Sequence, residues 1–166
     1  MPGVGFVDMK VKALFFDRPK VARAMTDARR RALSKSGAFV RRKAQTSMRY
    51  VSKTKRRKAA PGSIASKPGS PPLAHEGSLR RLLFFAYDPR AGSVVVGPVG
   101  FRNGTAPNTL EFGGHVTIQR RRRRRDGTVE RRQQRVRIAA RPYMAPALEA
   151  VAPSMPEAWR NSVKGG

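Results

Sequence analysis

Apolar and polar residues follow two different periods in the first third of the chain. Between residues 7 and 13 they alternate at every second position, which predicts a β-strand with one apolar face. From Asp17 and Pro19 to Val51, apolar residues recur every three or four positions with arginines and lysines between them. This spacing predicts one long amphipathic helix with a cationic outer face. Gly37 is its weak point and costs about 1 kcal/mol relative to alanine.

The middle of the chain predicts a long loop followed by a β-hairpin. Residues 52–77 follow neither period: lysines and arginines give way to prolines and glycines, which predicts a long, basic, extended loop. Residues 79–87 and 93–97 are rich in apolar, aromatic and β-branched side chains, and turn residues separate them. We therefore expect two well-buried strands here, and another loop over residues 100–108.

A second, longer hairpin is predicted over residues 115–138. Val116 and Ile118 alternate with polar residues on the way out, and Val136 and Ile138 do so on the way back. A three-residue turn would pair Ile118 with Val136 and Val116 with Ile138, whereas a two-residue turn would mix arginine into the apolar face. We expect the first register, with the base of the hairpin on the core and its tip projecting.

The end of the chain predicts a short helix with a kink. Apolar residues from Met144 to Val163 recur every three or four positions, and Pro153 and Pro156 interrupt them. Together the patterns predict a single α+β domain over residues 1–166. Its expected core is an antiparallel sheet of about four to five strands packed against the long N-terminal helix.

The charge of the chain points to an anionic partner. The formal net charge is +26, from 36 Lys and Arg against 10 Asp and Glu, and such an excess opposes compact folding unless a polyanion neutralises it. No apolar run is long enough to span a bilayer, and the first ten residues do not resemble a signal peptide. We therefore expect a protein that is made in a cytoplasm and has no membrane partner.

The cations expected to contact a partner form two groups. The tip of the second hairpin suits phosphate, because guanidinium groups match its geometry and release counterions; DNA, an acidic protein neighbour and plain solvent remain alternatives there. The basic loop is expected to contact a neighbouring subunit that orders it. The first group is Arg120, Arg121, Arg122, Arg123, Arg124, Arg125, Arg131 and Arg132, and the second is Lys53, Lys55, Arg56, Arg57 and Lys58.

The residue types that carry catalysis or bind metal are sparse. There is no cysteine, and His75 and His115 have no second histidine at ligand spacing. Glu111 has no second carboxylate near it in sequence, so an ion pair with a neighbouring arginine is expected rather than acid catalysis. We predict no enzyme activity, metal or cofactor. The residues expected in the core or at a subunit interface are Phe84, Val95, Phe112, Met144, Leu148 and Trp159.

Four segments of the chain form an ordered set of motifs. They are Pro68-Gly69-Ser70-Pro71-Pro72 with Glu76-Gly77-Ser78-Leu79-Arg80-Arg81, then Val94-Val95-Val96-Gly97-Pro98, then Leu110-Glu111-Phe112-Gly113-Gly114, and finally Ala140-Arg141-Pro142-Tyr143-Met144-Ala145-Pro146-Ala147-Leu148. No single motif is specific, but the ordered set covers most of the chain. In this order, the segments resemble the tail-completion proteins of long-tailed double-stranded DNA phages, which are neck subunits also called tail terminators or head–tail joining proteins.

The resemblance implies a structural virion protein. Such subunits form a ring, usually of six copies, that closes the tail tube and meets the head connector, adaptor or stopper proteins on the path of the packaged DNA. The arginine hairpin and the basic loop are larger than the family leads us to expect, so the resemblance fits either the terminator ring or another neck or tail layer. The alternative is a free-standing, sequence-independent nucleic-acid-binding protein of ribosomal or nucleoid type, which the charge alone would support.

Overall fold

The chain forms an α+β fold with a long N-terminal helix, two separate β-hairpins and a short C-terminal helix. The computed structural model describes residues 18–59, 64–101, 105–123, 128–160 and 162, with the backbone alone described at 105 and 120–123. The predicted strand at 7–13 lies outside these residues. The elements are α1 Arg18–Ser47, α2 Lys53–Lys58, α3 Ser78–Arg81, β1 Leu83–Asp88, β2 Ser93–Pro98, α4 Thr105–Phe112, β3 Gly114–Arg123, β4 Val129–Ile138, α5 Ala145–Val151 and the 3-10 helix Ala152–Ala158.

The helix α1 confirms the predicted amphipathic helix and buries a seam of small side chains. The seam contacts β1, β2 and α5, and the Ser36 hydroxyl within it donates to the Ala32 carbonyl. Small side chains let the helix backbone approach the hairpin closely, while most of the arginines and lysines between them are exposed. Arg29 and Arg41 instead reach the hairpin and donate to the Gly92 and Leu83 carbonyls. The buried positions are Ala28, Ala32, Ser36, Gly37, Val40 and Ala44.

Gly37 is where this approach is closest. A Cβ atom at this position would lie 2.6 Å from Cγ2 of Val94 and 3.3 Å from Cδ2 of Phe85. The glycine that weakens α1 in isolation is therefore the residue that lets the hairpin β1–β2 pack against it.

The predicted α+β class is confirmed, but within the described residues the strands form two separate sheets of two strands each, fewer per sheet than the four to five expected. β1 pairs with β2, and β3 pairs with β4, both antiparallel. Between the hairpins the chain forms α4, where the sequence predicted a loop over 100–108, and β3 contacts this helix. Gly113 and Gly114, with φ of 76° and 139°, then turn the chain away from β2.

The register of the second hairpin differs by two residues from the predicted one. Val116 lies opposite Val136, and Ile118 lies opposite Gln134. β4 begins at Val129, as the predicted register requires, but β3 ends at Arg123, two residues before the position that this register implies. Because a shift of two residues leaves every side chain on its predicted face, the apolar base of the hairpin is retained.

The segment 52–77 is not one extended loop. Residues 53–58 form α2, which begins with the Ser52 hydroxyl accepting from the Lys55 N–H at 3.2 Å. Further on, Tyr50 and Ala74 form a parallel bridge, and the Gly69 N–H donates to the Ala140 carbonyl at 2.9 Å. The described part of the segment is therefore tied to its own domain and does not need a neighbour for these contacts.

The main core lies where α1 meets β1 and α5. Its largest fully buried side chains are Tyr143, Met48 and Leu83. The C-terminal helix has the predicted break, because α5 ends at Val151 and the chain continues as a 3-10 helix that contains Pro156. In the described part of the chain, no helix is both long and apolar enough to cross a membrane.

Replacing Gly37 with valine is expected to lower the free energy of unfolding by about 1 to 3 kcal/mol, because the new side chain overlaps Val94 and Phe85. Urea unfolding followed by circular dichroism measures the change. The control is Gly97→Ala, since a Cβ atom at Gly97 meets nothing within 4 Å. Equal midpoints for the two variants would contradict the close packing of α1 on the hairpin.

Candidate functional site

The second hairpin gathers the predicted arginines on one projecting strand pair. Residues 129–135 of β4, including Arg131 and Arg132, are exposed along their whole length. The register places Arg120 opposite Arg132 and Arg121 opposite Arg131. Like charges directly opposite each other destabilise a strand pair, so an anion bound there would stabilise this hairpin. The predicted contacts at 124 and 125, and the side chains of 120–123, lie outside what the structure describes.

The second predicted group forms the exposed surface of α2. Lys53, Lys55, Arg56, Arg57 and Lys58 supply five of its six residues, and none of the six is acidic. The Arg56 guanidinium donates to the His75 carbonyl, which holds α2 against the segment that follows it. The helix therefore presents a compact block of positive charge in a fixed position.

A third cationic cluster was not predicted. Arg41, Tyr50, Arg80 and Arg81 line an open pocket of about 320 Å³ together with Gln45. The guanidinium carbon of Arg80 lies 4.4 Å from the centre of the Tyr50 ring. These residues come from α1, the bend after it and α3, so their meeting depends on the tertiary fold. The one local sign of this cluster in the sequence is the pair Arg80-Arg81, which follows a turn.

The outer face of the first hairpin is apolar and open to solvent. Phe84 and Val95 lie on the side away from α1, and they are 49% and 62% exposed. On the opposite side of the hairpin, a cavity of about 450 Å³ opens between α1, β2, α4 and α5, and the exposed side chains of Phe112 and Leu148 line it. Exposed apolar surface of this kind is typical of a site that another molecule covers.

The six residues predicted for the core or an interface therefore separate into two sets. Met144 is half-buried and packs against the main core. Phe84, Val95, Phe112, Leu148 and Trp159 are exposed and do not belong to the core of a single chain. Their predicted role at an interface stays a prediction.

Glu111 has a structural role that its place in the sequence did not reveal. Its carboxylate accepts hydrogen bonds from the backbone N–H groups of Tyr143, Met144 and Ala145, at 2.9, 3.1 and 2.9 Å. Among the described residues, the bonds of this carboxylate go to the residues at the start of α5, where N–H groups lack helical partners, and not to an arginine as expected. Burial, together with the Glu111 carboxylate, raises the pKa of the Tyr143 hydroxyl to about 12.

The histidines have no ligand partners in the described residues. His75 and His115 are both exposed, and the His75 carbonyl accepts from Arg56. Within the ranges that the structure describes, no group of three His, Cys, Asp or Glu side chains lies close enough together to hold a metal ion. The described surfaces with distinctive chemistry are therefore cationic or apolar.

Comparison with known proteins finds no family model, no characterised protein and no solved structure that matches the chain. The resemblance to tail-completion proteins therefore stays a prediction that rests on its motifs. Three of the four motif segments are joined by hydrogen bonds: Glu111 binds the N–H groups of 143–145, and Gly69 binds Ala140. The motifs thus coincide with contacts that hold the fold together.

Replacing Glu111 with glutamine is expected to destabilise the protein by about 1 to 3 kcal/mol, because the amide loses the charge and one acceptor that the N–H groups of 143–145 use. Urea unfolding measures the change. Glu149→Gln is the control, since Glu149 is exposed on α5 and its change is expected to stay within about 0.5 kcal/mol. A loss at Glu111 no larger than that at Glu149 would contradict the capping role.

Proposed function

We propose that this chain is a structural subunit of a bacteriophage neck or tail. In this role, six copies form a ring that terminates the tail tube and joins it to the head connector, with the packaged DNA passing through the ring. The protein acts in the virion, after assembly in the host cytoplasm, and does no chemistry of its own. The proposal rests on the ordered motifs and, in the structure, on one observation: the first hairpin leaves an apolar face uncovered.

That uncovered face favours assembly with other copies of the chain. β1 and β2 form a sheet of two strands, and within the described residues neither strand has a second strand as neighbour. Phe84 and Val95 lie exposed on its outer face. A hairpin with an apolar face and open edges gains stability when another surface covers it, and a closed ring covers such a surface on every copy.

The charge distribution favours a position beside DNA. The hairpin β3–β4 extends its arginines away from the core, and α2 adds a second cationic block. In a ring, every copy repeats these charges around the channel or at its mouth. Contacts of this kind are made to phosphate and do not depend on base sequence, which suits a protein through which any part of a genome passes.

The second candidate function is a free-standing nucleic-acid-binding protein. The same exposed cations on β4 and α2 favour it, because they would bind phosphate without any assembly. The uncovered apolar face at Phe84 and Val95 argues against it, since such a protein gains nothing from exposing that surface. The state of assembly in solution therefore discriminates between the two functions.

Sedimentation velocity over a wide concentration range tests the proposal. The wild-type chain of 18.4 kDa is expected to form a discrete oligomer with the mass of a closed ring. Val95→Lys is expected to raise the concentration needed for assembly at least about tenfold, because it places an unpaired charge in the apolar interface. Ala150→Lys adds the same charge at an exposed position on α5 and is expected to assemble normally.

Two results would contradict the proposal as stated. A wild-type chain that stays monomeric at every concentration and binds DNA in a salt-dependent manner would contradict the ring and favour the free-standing function. Equal assembly of the Val95→Lys and Ala150→Lys variants would show that the outer face of the first hairpin is not the contact between copies.

A further inference from the structure

We propose that the pocket between Arg41, Tyr50, Arg80 and Arg81 binds a phosphate group of a nucleic-acid backbone, and that α2 binds the phosphates that follow along the strand. This assigns a nucleic-acid contact to a surface other than the arginine hairpin. It does not depend on whether the chain forms a ring.

The pocket holds its guanidinium groups in place before any ligand binds. The Tyr50 ring lies between Gly77 and Arg80: a Cβ atom at Gly77 would be 2.9 Å from its Cε1, and the Arg80 guanidinium carbon is 4.4 Å from its centre. Gly77 has a φ of 76°, a conformation that suits glycine. Stacking on the ring therefore fixes the plane of the Arg80 guanidinium, which reduces the entropy lost on binding.

Arg41, which also lines the pocket, is held in place by the first hairpin. Its Nε donates to the Leu83 carbonyl, and its guanidinium carbon lies 5.8 Å from the centre of the Phe84 ring. That hydrogen bond uses one of the five N–H donors of the side chain. The Gln45 amide donates to the Arg80 carbonyl at 2.8 Å, so α1 and α3 are joined directly beneath the pocket.

The charge of the pocket is uncompensated by the residues that line it. The three lining arginines face one open space of about 320 Å³, and none of the lining residues is acidic. Like charges held close together repel each other, so a bound anion stabilises this arrangement. Guanidinium groups match the geometry of phosphate better than an ammonium group does. The pocket is shallow rather than enclosed, which suits a backbone phosphate on a strand that continues past it.

The surroundings of the pocket favour a nucleic acid over an acidic protein surface. α2 begins three residues after Tyr50, and Arg56 ties it to the carbonyl of His75, close in sequence to the Gly77 that supports the ring. The five cations of α2 thus extend the three of the pocket. A continuous surface with so many cations and no acidic residue on α2 or in the pocket fits a polymer with one phosphate about every 3.4 Å along each strand. Glu76 belongs to this neighbouring segment but does not line the pocket.

The test measures how tightly the full chain binds DNA at several salt concentrations. The probe is a fluorescein-labelled duplex of mixed sequence, about 30 base pairs long, and binding is followed by fluorescence anisotropy between about 0.05 and 0.2 M NaCl. The variant Arg80→Gln/Arg81→Gln removes two pocket charges. It is expected to bind roughly 10- to 60-fold more weakly at about 0.1 M salt, and its plot of log affinity against log salt is expected to be shallower by about two.

The matched control removes the same charge from another part of the surface. Arg23 and Arg30 are exposed on α1, roughly 27 and 16 Å along the helix from Arg41. The variant Arg23→Gln/Arg30→Gln is expected to keep the wild-type affinity within about threefold, because it changes only the long-range field, which salt screens. An equal loss in both double variants would show that net charge, not the pocket, determines binding, and would overturn the proposal.

Two Tyr50 variants test the stacking, with urea midpoints confirming that each folds. Tyr50→Phe keeps the ring and is expected to bind like wild type, whereas Tyr50→Leu frees Arg80 and is expected to weaken binding severalfold. Equal binding by these two variants would contradict the role of the ring.

A second titration tests whether the pocket prefers a nucleic acid or an acidic polypeptide. Poly-L-glutamate of similar charge is titrated against the same variants at the same salt. If it binds the wild type as tightly as the duplex, and loses the same factor in Arg80→Gln/Arg81→Gln, the pocket is a site for acidic protein and the proposal is wrong. The oligomer masses of the wild type and of the Arg80→Gln/Arg81→Gln variant are measured in parallel by sedimentation velocity. Failure of the ring would leave the binding test intact, because the test uses whichever oligomer the chain forms.

Discussion

Thirty-six lysines and arginines share this chain with ten acidic residues, so internal ion pairs cannot neutralise the positive charge. Two of the described acids are used for other purposes. Glu111 accepts from the backbone N–H groups at the start of α5, and Asp88 accepts from the N–H groups of Arg90 and Ala91 in the turn of the first hairpin. Carboxylates that satisfy the backbone in this way add local stability. They leave the surplus of cations on the surface, where an external anion can bind them.

The fold accommodates this charge by building its core largely from small side chains on one face of α1 and leaving most cationic side chains at the surface. α1 places small side chains toward the first hairpin and α5, with Gly37 at the closest contact, and most of its long cationic side chains are exposed. The second hairpin and α2 carry further cations away from this core. The apolar outer face at Phe84 and Val95 shows that a single chain buries only one side of its first sheet. The proposed assembly supplies what the single chain lacks: an apolar neighbour and a polyanion.

The local pattern of apolar and polar residues was enough to predict the elements that are determined by residues close together in the sequence. The periodicity of α1, the strands of the first hairpin and the proline break in the C-terminal helix all followed from it. It failed where a few tertiary contacts decide the structure. Residues 105–112 form a helix despite their loop-like composition. The segment 68–77 is held by Gly69, which donates to the Ala140 carbonyl, and by Ala74, which donates to the Arg49 carbonyl and accepts from the Val51 N–H. The pocket around Tyr50 joins residues some 30 positions apart, so no local pattern could have revealed it.

Whether the chain forms a ring on the path of the DNA can be seen by imaging the assembled protein. Electron cryomicroscopy of the purified chain, alone and with duplex DNA, would locate each copy and the hairpin at 115–138 within the particle. We predict a closed ring in which the outer face of β1–β2 contacts the next copy. The hairpins at 115–138 are expected to line or flank an axial channel that admits DNA. Particles without a ring, or a ring in which Phe84 and Val95 remain exposed to solvent and the hairpins point away from the axis, would contradict this prediction.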